Sequence, residues 1–476
     1  MQASPPVERP GIEPLVRAQD LADFREGLAR YQSGAWDETR WASFRLRFGV
    51  YAQREAGVQM VRVRLPGGIV TADWLRAVAR AARDFARGPV HLTTRQDVQL
   101  YGVAASRVAD LLARLSEAGI TTREAGGNTV RNVTACALAG LCPAERVDAG
   151  AVAERLSRAW LRHPLVQNMP RKLKITVSGC ETDCGAAPVH DLGLIATERD
   201  GRPGFRVLAG GGLGGAPVLA VEVLPFVVEE ELPLLVETLA RLHVAHSNRQ
   251  DRAQARLKFV LRRLGAERFA QLFAEEFSRL RGLDQRPWSP LAWRQPAAAA
   301  PEPPAAGPLA GHDGTHALLI PVPLGLITPD QLDGLAAILL EQGQPSLRVT
   351  RDQSILLPAP TADGAAALVA AVAALGLDAS PRAAETGRVV SCPGAATCRI
   401  GLTTSRALGE RLHAVAAAEG GHGLAVHLSG CHNGCGLHLL APIGLRGVSR
   451  GVDGRPAPHY RVHLLSLIHI SQGIVR

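Results

Sequence analysis

Two distant stretches of this chain spell the same thing: MVRVRLPGGIVTADWLRAVARAARDF (residues 60–85) with HLTTRQDVQLYGV (91–103), and ALLIPVPLGLITPDQLDGLAAILLEQG (317–343) with LRVTRDQSILLPA (347–359). In each, an apolar strand enters a Pro/Gly turn, a helix opens at a threonine N-cap (Thr71, Thr328), and a second strand follows. A chain that writes one α/β unit twice is an internal duplication. Between the copies, residues 287–312 (PWSPLAWRQPAAAAPEPPAAGPLAGH) are rich in Pro, Ala and Gly with little to bury, and read as a linker. The beginning of the chain reads as an extension, with helix expected from Leu21 to Trp41.

Each copy is followed by four cysteines, which together account for all eight in the chain. Both sets read C-x5-C then C-x3-C: Cys136, Cys142, Cys180, Cys184, and Cys392, Cys398, Cys431, Cys435. Four thiolates suit a [4Fe-4S] cluster, Zn2+ or two disulfides. A reducing compartment disfavours disulfides, and C-x5-C is wider than the usual zinc knuckle. The second set lies in glycine-bearing loops, SCPGAATCRIGL (391–402) and HLSGCHNGCGLHL (427–439). Glycine lets backbone approach an inorganic core and leaves N–H groups to donate to sulfur. The second set therefore reads as a [4Fe-4S] site. For the first set two readings stand: a second [4Fe-4S] cluster serving electron entry, or a vestigial or structural group.

Cations distinguish the copies. Arg131 stands five residues before Cys136, where Gly387 precedes Cys392; Lys172 and Lys174 precede Cys180, where Gly423 and Ala425 precede Cys431. Residues two apart on a strand share a face, so Lys172 with Lys174, and Arg62 with Arg64, read as paired cations on apolar strands. Arg62, Arg131, Lys172 and Lys174 are the candidate catalytic cations of an anion pocket built mainly by the N-terminal half, its C-terminal counterpart being degenerate.

The strings MVRVRLPGG, LTTRQDVQLYGV, NTVRNVTAC, PRKLKITVSGC, CPGAATC and SGCHNGCG, in this order, resemble the nitrite/sulfite reductase family of sirohaem and [4Fe-4S] hemoproteins over roughly residues 45 to 450. The resemblance implies an α+β fold, internally duplicated: two ferredoxin-like half-domains plus two α/β sirohaem/[4Fe-4S]-binding domains related by a pseudo-two-fold. It implies an extension at 1–44, half-domains at 45–125 and 313–382, cofactor domains at 126–286 and 383–476, and the linker at 287–312. It places Arg62, Arg131, Lys172 and Lys174 on substrate-binding and proton-supplying positions. Arg64, Arg95 and Gln99 fall on sirohaem-contacting positions, and Cys435 on the thiolate linking cluster to sirohaem iron. The implied activity is six-electron reduction of sulfite to sulfide or nitrite to ammonium. The family also leads one to expect further chain after HYRVHLLSLIHISQGIVR (459–476), so that segment reads as truncated or foreign.

Composition bounds the rest. Hydrophobic residues at 46% and charged ones at 20% are ordinary for globular domains. The formal charge of +9 suits an anionic substrate, an anionic cofactor or an acidic donor protein. With 4% aromatics and no basic tract interleaved with them, nucleic acid is a poor partner. No apolar run approaches a membrane span and no secretory leader is legible, so a cytoplasmic protein is expected. The run GGGLGG (210–215) lacks the helix a dinucleotide fingerprint needs; electrons are expected from a separate ferredoxin or flavoprotein. Two other readings remain: a precorrin-3B synthase-like iron–sulfur monooxygenase, which has no need of a tight oxyanion pocket, and an electron-transfer subunit without turnover.

Overall fold

The structure is a computed structural model that describes residues 14–283, 288, 290–300, 305–421 and 423–464. The chain forms two compact units, one of residues 1–49, 121–212 and 217–300, the other of residues 50–120, 213–216 and 301–476. In chain order the strands are β1 (Val50–Ala52), β2 (Val58–Val63), β3 (Ile69–Val70), β4 (Val90–Leu92), β5 (Val98–Ala104), β6 (Thr134–Ala135), β7 (Ile175–Ser178), β8 (Leu192–Arg199), β9 (Arg202–Ala209) and β10 (Val221–Val227). There follow β11 (Gly307–Ala310), β12 (His316–Ile320), β13 (Leu326–Ile327), β14 (Leu347–Val349), β15 (Ile355–Ala359), β16 (Arg388–Ser391), β17 (Ala425–Ser429), β18 (Ile443–Val452) and β19 (Arg455–Leu464).

The second unit holds both repeated α/β copies, and they are built through each other. One sheet runs β1-β2-β5-β4-β13 and its twin β11-β12-β15-β14-β3, so each copy lends its third strand to the other. Leu326 pairs with His91 across one junction, and Arg348 with Ile69 across the other. The helices after the lent strands start where the sequence placed them. Thr71 Oγ1 accepts from Trp74 N at 3.3 Å, and Thr328 forms a capping box with Gln331. Helix Ala72–Phe85 buries Leu75, Val78, Ala79 and Ala82, the spacing of one apolar stripe.

Two turns force the exchange. Pro66-Gly67-Gly68 and Pro323-Leu324-Gly325 swing each chain across to its twin, with φ of 76° at Gly68 and 67° at Gly325. A Cβ at Gly68 would collide with the Val349 carbonyl oxygen, and one at Gly325 with the Leu92 carbonyl oxygen. Those two carbonyls are also the acceptors for reciprocal buried glutamines: Gln96 Nε2 to Val349 O at 3.1 Å, and Gln353 Nε2 to Leu92 O at 2.8 Å. Both glutamines are left-handed, with φ of 56° and 65°. That conformation costs a non-glycine residue about 1 kcal/mol or more, and the buried hydrogen bonds offset it.

The second unit adds a sheet in which β16, β17 and β18 run parallel and β19 closes antiparallel. In the first unit, β6, β7 and β8 run parallel and β9 and β10 antiparallel. Helices Leu232–His246, Leu257–Leu264 and Ala266–Arg281 cover that sheet, burying Phe269, Phe273 and Leu239 with Phe205.

Three local expectations change. The Leu21–Trp41 helix is two helices, Ala18–Gln32 and Glu38–Leu46, because Gly34 turns left-handed and Asp37 Oδ1 caps a new start at Arg40 N, 2.7 Å away. The linker is not bare. Trp293 lies 5.2 Å from the Phe205 ring, Leu291 is buried, and residues 307–310 are strand β11; its two anchoring apolar side chains were masked by the Pro/Ala composition around them. Lys172 and Lys174 precede β7 rather than lying in it, flanking the bridge of Leu173 to Val130. Residues 459–464 belong to β19, whereas 465–476 lie outside the described residues.

Gly68→Ala is expected to cost more stability than Gly57→Ala. Both have positive φ, but among the described residues nothing lies within 4 Å of a Cβ at Gly57. Denaturant unfolding should show about 1 kcal/mol for Gly57→Ala and about 2 or more for Gly68→Ala. Equal losses would deny the crossing its steric basis.

Candidate functional site

The second cysteine set sits at the C-terminal ends of parallel strands, where α/β sheets place ligands. Cys392 follows β16, and Cys431 follows β17 by one residue. Cys431 is buried, Cys392 and Cys398 are half-buried, and Cys435 is exposed. Gly430 N donates to Cys392 Sγ at 3.2 Å, and Ser405 Oγ lies 3.6 Å from the same sulfur. Burial and the neighbouring Cys435 push the Cys392 thiol up to about 11; a metal that demands thiolates reverses this.

The ferredoxin-like pair grips these loops at three points. Thr94 Oγ1 donates to Cys435 O at 2.7 Å. Gln353 Nε2 donates to Ser391 O at 3.0 Å while its Oε1 accepts from Ser391 N at 2.8 Å. Arg54 N donates to Thr397 O at 2.9 Å, and its guanidinium reaches Gly401 O at 2.8 Å.

Between the grips lies a buried polar chain. With its amide oxygen toward Arg62, Gln99 accepts from Nη2 at 2.7 Å and Nε at 3.2 Å, and its NH2 donates to Tyr101 Oη at 2.6 Å, which also lies 2.9 Å from His91 Nδ1. Gln353 Nε2 stands 2.8 Å from His91 Nε2, which assigns the His91 proton to Nδ1. Burial first, then the charges of Arg406 and Arg62, push His91 down to about 3, so the ring is neutral. Burial opposes the Arg62 charge, yet Tyr51, Asp97, Cys435 and Tyr101 together hold it above the ordinary arginine value. Arg62 therefore answers electrostatically to Cys435, and Tyr101 to Cys392 and Cys398.

Four of the expected residues thus belong to one cation-rich neighbourhood. Arg62 and Gln99 are paired strand to strand. Arg64, beyond the end of β2, is wholly enclosed, and Arg95 lies on the β4–β5 turn. Buried Asp97, which the sequence reading passed over, holds them together: burial raises its pKa while Arg62, Arg95 and Arg64 pull it down. Arg406 was also missed. It lies 4.7 Å over the Tyr101 ring, and its buried Nε and Nη2 find no hydrogen-bond partner among the described residues. Those orphaned donors, with Arg62, fit the carboxylates of a polyanionic macrocycle, and the four thiols fit an iron–sulfur cluster. Arg406 opens a helix after the cysteine loop, and its N-terminal position was the available signal.

The first unit holds the other expected residues. Cys136, Cys142 and Cys180 are buried and Cys184 half-buried. Arg131 is turned into its own loop, donating to Ala125 O at 3.1 Å and Gly127 O at 2.9 Å. Lys174 donates its backbone N–H to Asp191 at 2.9 Å, and Asp191 in turn pairs with Arg256 at 2.8 Å. Burial, then Arg256, pushes the Lys258 ammonium down to about 8; neither Arg256 nor Lys258 sits near a cysteine in sequence, so neither was noticed.

The profile of the nitrite and sulphite reductase 4Fe-4S domain matches residues 126–280, and that of the nitrite/sulfite reductase ferredoxin-like half domain matches twice, at 51–118 and 309–375. The chain is 30% identical over 445 residues to the assimilatory ferredoxin-dependent nitrite reductase of Haloferax mediterranei, covering 88% of this chain and 76% of that protein. It is 27% identical over 483 residues to sulfite reductase (ferredoxin) 1 of Mycolicibacterium paratuberculosis, covering 95% and 85%. The solved structure of the Mycobacterium tuberculosis NirA protein superposes with a TM-score of 0.78 at 24% identity, over 95% of this chain and 87% of that one, and shows the shared fold.

Acid should weaken the second unit. Burial pushes His91 to about 3, His427 to about 4 and His438 to about 3, each from 6.5. The folded state then binds fewer protons than the unfolded one, so stability is full above pH 6.5 and falls as pH drops toward the folded values. By pH 5 each histidine costs about 2 kcal/mol. Unfolding midpoints between pH 7.5 and 5 should fall, and less steeply in His91→Gln; a slope unchanged in that variant would remove His91 from the account.

Proposed function

Because the chain belongs to the nitrite and sulfite reductase family, we propose that it reduces sulfite or nitrite by six electrons at a sirohaem coupled through Cys435 to a [4Fe-4S] cluster on Cys392, Cys398, Cys431 and Cys435. One observation supports this most. The buried Arg62–Gln99–Tyr101–His91 chain lies within electrostatic reach of Cys435 at one end, and Gln353 ties its other end to the strand before Cys392.

When bound, the coupled cofactors supply the substrate iron and the one-electron relay. The chain's own side chains do the rest. Gln99 takes two of the Arg62 donors and thereby sets the guanidinium plane, and Tyr101, in contact with the neutral His91, keeps Gln99 from turning. A fixed cation in a desolvated site offsets oxyanion charge far better than one in water. Arg95, Gln99, Arg406 and the enclosed Arg64 serve the macrocycle's carboxylates or brace those that do, with Asp97 as their common counter-charge. Lys172 and Lys174 supply protons as oxygen leaves, and Arg131 shapes the loop beside them. The curated relatives include ferredoxin-dependent enzymes, and a ferredoxin is the electron donor proposed for this chain. Among the described residues no helix is long and apolar enough to cross a membrane.

Anaerobically purified protein should show a sirohaem absorption band that shifts on adding sulfite or nitrite. Lys172→Met and Arg62→Met should retain the band but lose turnover with reduced methyl viologen by about 100-fold or more. A near-normal rate in either variant would sink the role given to that residue; no sirohaem band would sink the function.

A further inference from the structure

The loops carrying the two cysteine sets can be compared atom by atom, each within its own unit. Cys136 N donates to Val177 O at 3.1 Å, and Cys392 N to Leu428 O at 3.2 Å. Both acceptors stand three residues before the third cysteine of their set. Arg146 N donates to Gly179 O at 2.7 Å, as Leu402 N does to Gly430 O at 2.7 Å, each donor ten residues past the first cysteine. Glu145 N bonds to Cys142 O at 3.1 Å, as Gly401 N bonds to Cys398 O at 3.2 Å. After the last cysteine, Gly185 N and Gly436 N each donate to the serine two residues before the third cysteine, Ser178 and Ser429, at 3.0 Å.

Shared ancestry alone could keep backbone bonds. It does not explain what happens at sulfur. The glycine before the third cysteine donates its N–H to the first thiol in both sets, Gly179 to Cys136 and Gly430 to Cys392. The third cysteine accepts both a backbone and a side-chain hydrogen bond from the residue two further on, Thr182 for Cys180 and Asn433 for Cys431. Donors aimed at thiolate sulfur are what a cluster site requires. Elsewhere the copies have drifted freely: Arg131, Lys172 and Lys174 correspond to Gly387, Gly423 and Ala425. Drift that erased three cations left four thiols and their sulfur-directed donors in place.

We propose that Cys136, Cys142, Cys180 and Cys184 hold a second [4Fe-4S] cluster, additional to the one assigned to the C-terminal set. The thiols gather: Cys142 and Cys180 are hydrogen-bonded to each other, and Cys136 lies within electrostatic reach of both Cys180 and Cys184. One difference sets the sites apart. Glu145, wholly buried, takes the place of Gly401; it is paired with Arg294 at 3.4 Å and accepts from Gly140 N at 3.0 Å. A carboxylate this close makes its cluster the harder of the two to reduce.

The test uses the full chain, purified without oxygen. Iron and acid-labile sulfide should approach about nine and eight per chain, and two cluster signals should appear in the electron paramagnetic resonance of the stepwise-reduced protein, one at lower potential. The double variant Cys180→Ser, Cys184→Ser should lose about four irons and the low-potential signal while keeping the sirohaem band. About five irons in the wild type, one cluster signal, or one zinc per chain would overturn the proposal, whether or not the variant folds. Eight irons without a sirohaem band would support it while removing the reductase reading, so the two fail separately.

Discussion

The two repeats of the second unit meet at two carbonyl oxygens, those of Leu92 and Val349, each claimed by a glutamine from the opposite repeat. A strand that leaves its own sheet exposes an unpaired edge, which is costly unless another strand takes its place. Here each repeat fills the gap it makes in its twin. The turns at Gly68 and Gly325 bring backbone so near those carbonyls that no side chain fits, so the crossing and the glutamine contacts stand or fall together. Because Gln353 also holds Ser391, the same buried amide sets the position of the strand end before Cys392.

That rigidity has an electrostatic purpose. Arg62, Arg64 and Arg95 crowd one buried carboxylate, Asp97, and Arg406 stands over Tyr101. Enclosed like charges are tolerable only where counter-charges and hydrogen-bond acceptors offset their lost hydration. The neutral His91 is part of the arrangement: a protonated ring would add another cation between Arg62 and Arg406. The cations are thereby held in fixed positions around Asp97 and Tyr101.

The duplication has been put to unequal use. Both copies kept the sheet that ends in cysteine loops, and both kept donors directed at sulfur. The N-terminal copy alone kept Arg131, Lys172 and Lys174, though Arg131 spends donors on its own loop, so its cationic residues shape backbone as well as charge. A repeated scaffold can lose a binding residue at one copy cheaply when the other supplies it. A metal ligand is different, because three thiols hold a cluster far worse than four.

Much of this was legible in residue order alone. Period-two strands, threonine caps and cysteine spacing are local signals, and local physics enforces them: Thr71 and Thr328 cap as read, and the cysteines fall at strand ends. Gln99 could be named because the string LTTRQDVQLYGV resembles the family's. Other features depend on which distant segments meet. No spacing announces that β3 pairs with β14, that Gln96 and Gln353 trade acceptors, or that Asp97 faces three arginines. Trp293 and Arg406 gave little sign of their roles, since one packs from inside a Pro/Ala run and the other opens an ordinary helix. The sequence by itself determined the two repeats, the spacing of their cysteines and the positive charge. Only tertiary structure decided how the repeats interlock and which cation each buried polar group orients, because the first turns on sheet pairing between residues more than 250 positions apart and the second on desolvation within the folded sheet.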